Sequence, residues 1–189
     1  MAAFTEKAIV ESFIELLNEK PLDKITVKNV IDRCGVNRST FYYYFEDIYD
    51  LLNKIFEHET GKITENSKEY DGTHWADSVM EIMSFAMDNR KAIYHVYKSV
   101  SREKLENYLN TAFDEITYNS VKAKAGDTKA SDDDIRLVSG IYKYAIIGMI
   151  FQWLEEGMKE EPSDIIHKLE YMANNTIQEM LKSASEYRK

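Results

Sequence analysis

The spacing of apolar residues along this chain predicts helices in almost every segment. Apolar side chains recur at three- and four-residue intervals, which matches the helical repeat of 3.6 residues. The first such stripe predicts an amphipathic helix over residues 4 to 19 that ends before Pro21. Its expected inward residues are Phe4, Ala8, Phe13, Leu16 and Leu17. Only seven glycines and two prolines occur among the 189 residues, so we expect an all-α fold.

Two short helices joined by a tight turn are predicted between residues 26 and 45. Thr26 can cap a helix over residues 27 to 34, and Gly35 permits the reversal that follows. Asn37 can cap the next helix, in which Phe41 and Phe45 lie four residues apart and point back into a small core. This pattern indicates a helix-turn-helix, whose second helix lies in the major groove of DNA.

The second helix of this motif begins with polar residues and continues with aromatic ones. Arg38, Ser39 and Thr40 occupy its first turn, where a recognition helix meets bases and phosphates. Residues 42 to 44 are tyrosines, and at 100° per residue they cannot all face the core. At least one hydroxyl therefore points outward, where it either binds a phosphate oxygen or belongs to a solvated aromatic residue.

The charge of the chain at first argues against a nucleic-acid partner, because its formal net charge is -9. Between residues 20 and 45, however, five cations face only two carboxylates, Asp23 and Asp32. The five cations are Lys20, Lys24, Lys28, Arg33 and Arg38. Since only the face presented to DNA must be positive, the predicted motif remains compatible with DNA binding.

Residues 25 to 45 resemble the helix-turn-helix of the TetR family of one-component transcription regulators. The resemblance implies that Thr26 and Lys28 approach the DNA backbone, and that Tyr42 and Tyr43 hold phosphates. It also implies that the first turn of the second helix carries base or backbone contacts. The candidate DNA-binding residues are Thr26, Lys28, Asn37, Arg38, Ser39, Thr40, Tyr42 and Tyr43. The chain departs from the family at Ile48, where relatives commonly have a lysine that binds phosphate.

The family resemblance, together with the helical pattern, predicts three parts and about nine helices. Residues 1–47 would form the helix-turn-helix domain, and residues 48–66 a connecting helix capped by Asp47. Residues 67–189 would form a helical effector-binding and dimerisation domain. Apolar stripes after Trp75 predict helices ending near residues 87, 100 and 121, and two longer helices over residues 134–158 and 163–186. The polar stretch over 122–134 predicts a loop.

The last two predicted helices carry apolar residues on two sides, and one protomer can bury only one side well. This surplus suggests a homodimer built as a four-helix bundle, as the family resemblance also implies. The sequence does not decide which stripe faces the partner. The candidate interface residues are Tyr144, Gly148, Phe151, Leu169, Met172, Ile177 and Met180. A two-fold dimer would place the recognition helices about 34–36 Å apart on a palindromic double-stranded DNA operator.

Methionines and tyrosines of the middle helices are candidates for a small-molecule effector site, since they offer deformable walls with a few hydroxyl groups. The alternative interpretation of each is ordinary core packing. The candidates are Trp75, Met83, Met87, Tyr94, Tyr97, Tyr108 and Tyr142. Residues 144–149 and 153–158 also resemble, more loosely, the subgroup of dihydroxyacetone-kinase regulators. That resemblance raises the alternative that a protein partner controls the regulator.

The sequence does not favour an enzyme, a metal site or a cofactor. The segment from His58 stops short of the zinc pattern HExxH because Lys62 stands where the second histidine is needed. No phosphate-binding glycine loop, dinucleotide fingerprint or nucleophile elbow occurs. Cys34 is the only cysteine, and neither a signal-peptide pattern nor an uninterrupted apolar stretch of about 18 residues appears. We expect a cytoplasmic protein without a membrane partner.

Together these patterns predict a dimeric, TetR-like repressor that leaves a palindromic operator when a small effector binds its larger domain. The alternative is a regulator or adapter that is controlled by a protein partner.

Overall fold

The computed structural model describes residues 2–69, 75–100 and 102–187. Within these ranges the chain forms nine α-helices and one 3-10 turn, Leu22–Lys24, and no strand. The helices are α1 (Ala2–Glu19), α2 (Val27–Cys34), α3 (Arg38–Tyr44), α4 (Ile48–Glu69), α5 (Trp75–Asp88), α6 (Arg90–Ser99), α7 (Arg102–Ala123), α8 (Asp132–Glu155) and α9 (Pro162–Glu186). The prediction of an all-α chain with about nine helices is confirmed.

Two compact units divide the chain, and the first combines Met1–Glu59 with Ala86–Leu105. Its core contains Ile9, Phe13, Phe41, Phe45 and Leu51, all nearly inaccessible to solvent. These residues lie on α1, on α3 and its C-terminal cap, and at the start of α4. Burial of their aromatic rings therefore holds the helix-turn-helix to its neighbours.

Helix α6 belongs to this first unit although the sequence placed it in the domain over 67–189. The Nδ1 atom of His95 lies 2.7 Å from the carbonyl oxygen of Leu17 at the end of α1. The side-chain oxygen of Asn18 accepts a hydrogen bond of 3.3 Å from the backbone of Ala92. Buried Ala92 and Val96 complete the apolar side of α6. Sequence periodicity reports that α6 has an apolar face but not which helix covers it.

The second unit combines Thr60–Phe85 with Glu106–Lys189. Its core is formed by large apolar residues of α5, α7, α8 and α9, among them Val79, Phe113, Ile116, Ile146, Trp153, Ile177 and Leu181. Lys143 of α8 forms an ion pair of 2.7 Å with Asp114 of α7. Gly157 has a φ of 80°, which permits the reversal from α8 to α9. The indole nitrogen of Trp153 donates to the backbone oxygen of Glu160 at 2.8 Å across that turn.

Three local expectations differ from the structure. Phe4 is 80% exposed, because it precedes Phe13 by nine residues and therefore lies on the opposite side of α1; Ile9 takes the inward place. Helix α4 continues to Glu69, beyond the predicted end, since its polar last turns contain neither glycine nor proline. Helix α8 begins at Asp132, two residues early, because Ser131 and Asp134 form a capping box.

Helix α8 is the one helix within the described ranges whose length and composition would suit a membrane span, with a mean hydropathy of 1.3 over its best window. Such a composition is also typical of a core helix, and 44% of that window is buried inside the protein. Ile146, Ile147 and Ile150 are among its buried residues. Packing within its own unit therefore accounts for much of the apolar character of α8.

Candidate nucleic-acid interface

The start of α2 is fixed by a reciprocal pair of hydrogen bonds. The hydroxyl oxygen of Thr26 accepts from the backbone of Asn29 at 3.3 Å, and the Asn29 side chain accepts from the backbone of Thr26 at 3.1 Å. The ammonium group of Lys20 donates to the same Asn29 oxygen at 2.8 Å. Because Thr26 uses only its lone pair as a cap, its hydroxyl hydrogen is left to donate to an acceptor such as a phosphate oxygen.

The start of α3 is organised around one acceptor atom, the side-chain oxygen of Asn37. It accepts hydrogen bonds from the backbone of Thr40 at 2.8 Å, from the Ser39 hydroxyl at 2.6 Å and from the Thr40 hydroxyl at 2.9 Å. In this arrangement the two hydroxyls donate to Asn37, which leaves their remaining lone pairs as acceptors, and acceptors suit amino groups such as those of adenine or cytosine. Asn37 thus caps α3, as predicted, and orients the Ser39 and Thr40 hydroxyls.

The outward side chains of α3 are an arginine and two tyrosines. The guanidinium of Arg38 donates to the Tyr42 hydroxyl at 3.3 Å and lies 5.6 Å from the centre of that ring. Tyr43 is 80% exposed, whereas Phe41 and Phe45 on either side are buried. Tyr44 is half-buried, with its ring edge-on to Tyr43 at 4.9 Å. The structure therefore presents Tyr42 and Tyr43, the predicted phosphate contacts, to solvent.

Ion pairs within the protein neutralise part of the local positive charge. Arg33 makes two hydrogen bonds of 2.7 Å to the Glu19 carboxylate, which ties α2 to α1 and lowers the pKa of Glu19. Arg33 therefore serves the packing of the unit, and the sequence count overstated the cations available to DNA. Lys28 pairs with Asp32 at 2.7 Å, and this hydrogen bond raises the pKa of Lys28. The Lys28 side chain is largely exposed, so a phosphate can replace Asp32 at small cost.

Ile48 occupies the position where relatives commonly have a lysine, and it is part of the core because it is only 7% exposed. The last residue of α3 instead contacts Lys54, which lies on α4 six residues after Ile48. The Lys54 ammonium donates to the backbone oxygen of Tyr44, the last residue of α3, at 2.6 Å. Lys54 is not among the residues predicted from the sequence, although Asp50 and Lys54 have the four-residue spacing of a helical ion pair.

The candidate effector residues are divided between the two units. Met87, Tyr94 and Tyr97 belong to the first unit, and the other four belong to the second. Met83 lines a cavity of about 160 Å³ whose other walls come from α8 and α9 and from the turn between them. Trp75 is buried, Tyr108 is half-buried, and the Tyr142 hydroxyl lies 2.5 Å from that of Thr176. The cavity is lined by Met83, Ile146, Met149, Ile150, Gln152, Trp153, Glu156, Glu160, Ile165, Ile166 and Leu169.

The candidate dimer residues divide between core and surface. Phe151 and Ile177 are buried inside their own protomer, so they offer a partner little surface. Tyr144, Gly148 and Met172 are exposed, and Leu169 and Met180 are half-buried. Three further exposed apolar residues on the same two helices, Leu137, Ile141 and Tyr171, are not among the candidates. Leu137 and Ile141 border a shallow groove of about 390 Å³ between α8 and α9.

Ionisable side chains do not gather into a metal-like cluster in the part of the chain that the structure describes: no group of three or more His, Cys, Asp or Glu residues is suitably placed. The single cysteine, Cys34, is half-buried near the end of α2. Its sulfur lies 3.9 Å from the carbonyl oxygen of Ile31.

A capped pair of short helices around a glycine turn, with polar and aromatic residues exposed on the second helix, defines a helix-turn-helix protein. Residues 9–55 match the family model of bacterial regulatory proteins of the tetR family. Residues 73–175 match the model of a transcriptional regulator C-terminal region of the same family. The chain belongs to the TetR family of transcription regulators. TetR-family regulators are not enzymes, which confirms the expectation that this chain is not one.

Individual relatives cover only part of the chain. Over 86 residues, 46% of this chain and 45% of the relative, it is 26% identical to the HTH-type dhaKLM operon transcriptional activator DhaS of Lactococcus lactis subsp. lactis strain IL1403. Over 124 residues, 66% of this chain and 53% of the relative, it is 23% identical to the tetracycline repressor protein class D of Escherichia coli. The matched segments thus span about half the length of these relatives.

Solved structures share the fold over nearly the whole chain. The dihydroxyacetone kinase operon activator DhaS superimposes with a TM-score of 0.72 at 18% identity, covering 95% of this chain and 97% of the other. A TetR transcriptional regulator from Streptococcus agalactiae 2603V gives a TM-score of 0.59 at 21% identity, covering 92% and 94%. At these identities the likeness establishes the arrangement of helices and not a ligand or partner.

Proposed function

We propose that this protein binds double-stranded operator DNA through α2 and α3 and thereby regulates transcription. The observation that carries the proposal is the exposed row of Arg38, Tyr42 and Tyr43 on a helix whose other side is anchored by buried Phe41 and Phe45. Thr26 and Lys28 at the start of α2 add two exposed groups that can donate to phosphates. Family membership supports the same function.

The contacts in this interface are few and mostly neutral. Lys28 and Arg38 are the exposed cations among the candidate DNA-binding residues, while the threonine and the tyrosines contribute uncharged hydroxyl groups. Each phosphate neutralised by a cation contributes about -0.9 to the slope of log K against log salt concentration. We therefore expect measurable salt dependence with a shallow slope, in keeping with a chain of net charge -9.

The protein is proposed to act as a homodimer through α8 and α9. Leu137 is 61% exposed and Ile141 49% exposed on α8, although both are large aliphatic residues. Tyr144 and Met172 are also exposed on these helices. Pairing the two helices with those of a second copy would bury this surface in a four-helix bundle. A two-fold dimer would present two copies of α3 to successive major grooves, about 34–36 Å apart.

Selection of bound genomic fragments with the full chain tests DNA binding and supplies the operator. Fluorescence anisotropy on the selected fragment then gives the affinity at several salt concentrations. We expect salt-sensitive binding that is lost when Tyr42 and Tyr43 are both changed to alanine. A matched control is Tyr94→Ala, since this tyrosine is also exposed but lies on α6. Absence of any selected fragment, or equal binding by the double variant, would reject the proposal.

The sign of regulation is proposed to be repression, with release by an effector in the second unit. In a reporter strain, deletion of the gene should raise transcription from the operator, and addition of the effector should do the same. A fall in transcription on deletion would instead establish activation. The DhaS relatives are named as activators.

Control by a protein partner is the second candidate, and the small size of the cavity favours it. The cavity holds about 160 Å³, whereas pockets for drug-sized ligands usually hold about 300–1,000 Å³. A pull-down with the purified dimer, followed by addition of the captured protein to the DNA-binding assay, tests this alternative. A stoichiometric partner that changes operator affinity would support it, and a partner without any effect on affinity would not.

A further inference from the structure

We propose that Lys54 is a positioning residue for the recognition helix, holding the C-terminal end of α3 from outside the helix-turn-helix. The proposal rests on the proposed DNA binding and concerns a residue that does not itself touch DNA. It arises from the contacts that α4 makes with the last residue of α3 and with the two residues that follow it.

The first contact satisfies an end of α3. The last carbonyl groups of a helix have no partner within it, and a helix of seven residues has little stability of its own. The Lys54 ammonium donates to the backbone oxygen of Tyr44 at 2.6 Å. A positive charge at this place also interacts favourably with the negative end of the helix dipole.

The second set of contacts fixes the turn after α3. Asp50 lies one helical turn before Lys54, and their side chains are 3.3 Å apart. The same Asp50 oxygen accepts a hydrogen bond of 2.9 Å from the backbone of Glu46. The Lys54 ammonium also lies 5.2 Å from the centre of the Phe45 ring, within the range of a cation–π contact. Residues 44, 45 and 46 are therefore all held by one pair of charged residues on α4.

This arrangement matters because Tyr42 and Tyr43 occupy the last turn of α3. Their orientation depends on that turn remaining helical, and the opposite end is already held by Asn37. Ile48 is buried, and the Lys54 cation at the end of α3 binds a backbone oxygen. The Lys54 ammonium donates to the Tyr44 oxygen and forms an ion pair with Asp50. Lys54 thus orients the residues that bind phosphate instead of binding one.

The salt dependence of operator binding separates positioning from direct contact. The variant Lys54→Met keeps the aliphatic stem but removes the charge and the donor. We expect about tenfold weaker binding with the salt slope nearly unchanged, and recovery of most of the affinity in Lys54→Arg. Lys28→Met, which removes a proposed phosphate contact, should lower the slope by about one for each half-site. Lys7→Met is the matched control, since it removes an exposed lysine from α1 and should leave affinity unchanged.

Hydrogen exchange of the unbound protein provides a readout that does not need DNA. In Lys54→Met the amides of residues 45 and 46 should exchange faster than in the parent, while the amide of Thr40 at the other end of α3 should not. Unchanged exchange, unchanged affinity, or a fall in salt slope equal to that of Lys28→Met would each overturn the inference. Failure of the parent protein to bind any DNA would instead reject the proposed function, and exchange would still test the role of Lys54.

Discussion

The exposed surfaces of α2–α3 and of α8–α9 differ in chemistry. Both pairs of helices bury apolar residues. The first pair exposes hydroxyl groups, cations and tyrosines, whereas the second pair exposes leucine, isoleucine and methionine. A surface of cations and hydrogen-bonding groups suits a partner that offers phosphates and base edges. A surface of aliphatic side chains suits a partner that offers the same, such as a second copy of these helices. We therefore expect two separate interfaces, which should fail independently when each is altered.

The largest expected effect is loss of the anchor beneath the DNA-binding surface. Phe41→Ala removes a fully buried ring and should lower the free energy of unfolding by about 3–5 kcal/mol. Operator binding should be abolished, while sedimentation at a temperature where the second unit remains folded should still show dimers. Tyr43→Ala, two residues later and exposed, should change stability by no more than about 0.5 kcal/mol. Dissociation of the dimer in Phe41→Ala would show that the two surfaces are not independent.

Introducing charges into the apolar surface of α8 and α9 should weaken the dimer and leave the fold of the protomer largely unchanged. Leu137→Glu combined with Ile141→Glu should raise the dimer dissociation constant about 30- to 1,000-fold, as losses of about 2–4 kcal/mol at interface hot spots imply. Because both residues are substantially exposed in the protomer, thermal unfolding measured at low concentration should change little. Gln178→Glu, at an exposed polar position of α9, is the control. Persistence of the dimer in the double variant would exclude this groove as the interface.

Removing the cap of α3 should have an intermediate effect. Asn37→Ala leaves the Thr40 backbone and the Ser39 and Thr40 hydroxyls without their common acceptor, so stability should fall by about 1 kcal/mol. Asn37→Asp keeps an acceptor and should retain most of the stability, but its charge should weaken operator binding. Chemical denaturation and anisotropy measure the two effects separately. Equal stability of both variants would contradict the role of the side-chain oxygen.

Removing a single tyrosine hydroxyl should have a smaller effect on DNA affinity. Tyr43→Phe should weaken operator binding about 2- to 10-fold, the equivalent of one hydrogen bond of about 0.5–1.5 kcal/mol. Since the hydroxyl is neutral, the salt slope should stay the same, and the loss should be similar on different DNA sequences. A loss confined to one sequence would mean that Tyr43 reads a base and does not hold a phosphate.

The smallest effects concern stability in acid, and each unit offers one test. The hydrogen bond from Arg33 lowers the pKa of Glu19 below its ordinary value of 4.5, and the hydrogen bond from Tyr118 lowers that of Asp132 below 3.8, with Arg136 adding to it. A carboxylate with a lowered pKa stabilises the fold above its ordinary pKa, and this contribution disappears as the pH falls through the folded value. Glu19→Gln and Tyr118→Phe should therefore each flatten the dependence of stability on pH below about 5. An unchanged pH profile in either variant would contradict the corresponding contact.

Local sequence signals were sufficient to predict the helix-turn-helix but not the surroundings of the other helices. Thr26, Gly35 and Asn37 act within three or four residues of their own position, so the bounds of α2 and the start of α3 followed directly from them. The sequence likewise predicted Phe41 and Phe45 as buried anchors. Which apolar stripe is buried in α8 and α9 depends on tertiary neighbours, which explains why the buried Phe151 and Ile177 were listed among the candidate interface residues.

The same limitation applies to residues that act at a distance along the chain. Lys54 lies ten residues after Tyr44, and no helical periodicity connects them across the turn between α3 and α4. Arg33 was counted as a free cation because its partner Glu19 belongs to another helix. The seven candidate effector residues were grouped by chemical type, and the fold distributes them over both units because side-chain chemistry does not encode which helices become neighbours.

The most direct test of the central claim is the affinity of the full chain for its selected operator at several salt concentrations, compared with the Tyr42→Ala, Tyr43→Ala double variant. We expect salt-sensitive binding by the parent protein and its loss in the double variant, while both proteins remain folded dimers. Binding by a folded double variant with the affinity and salt slope of the parent would contradict the claim that α2 and α3 form the DNA-binding surface.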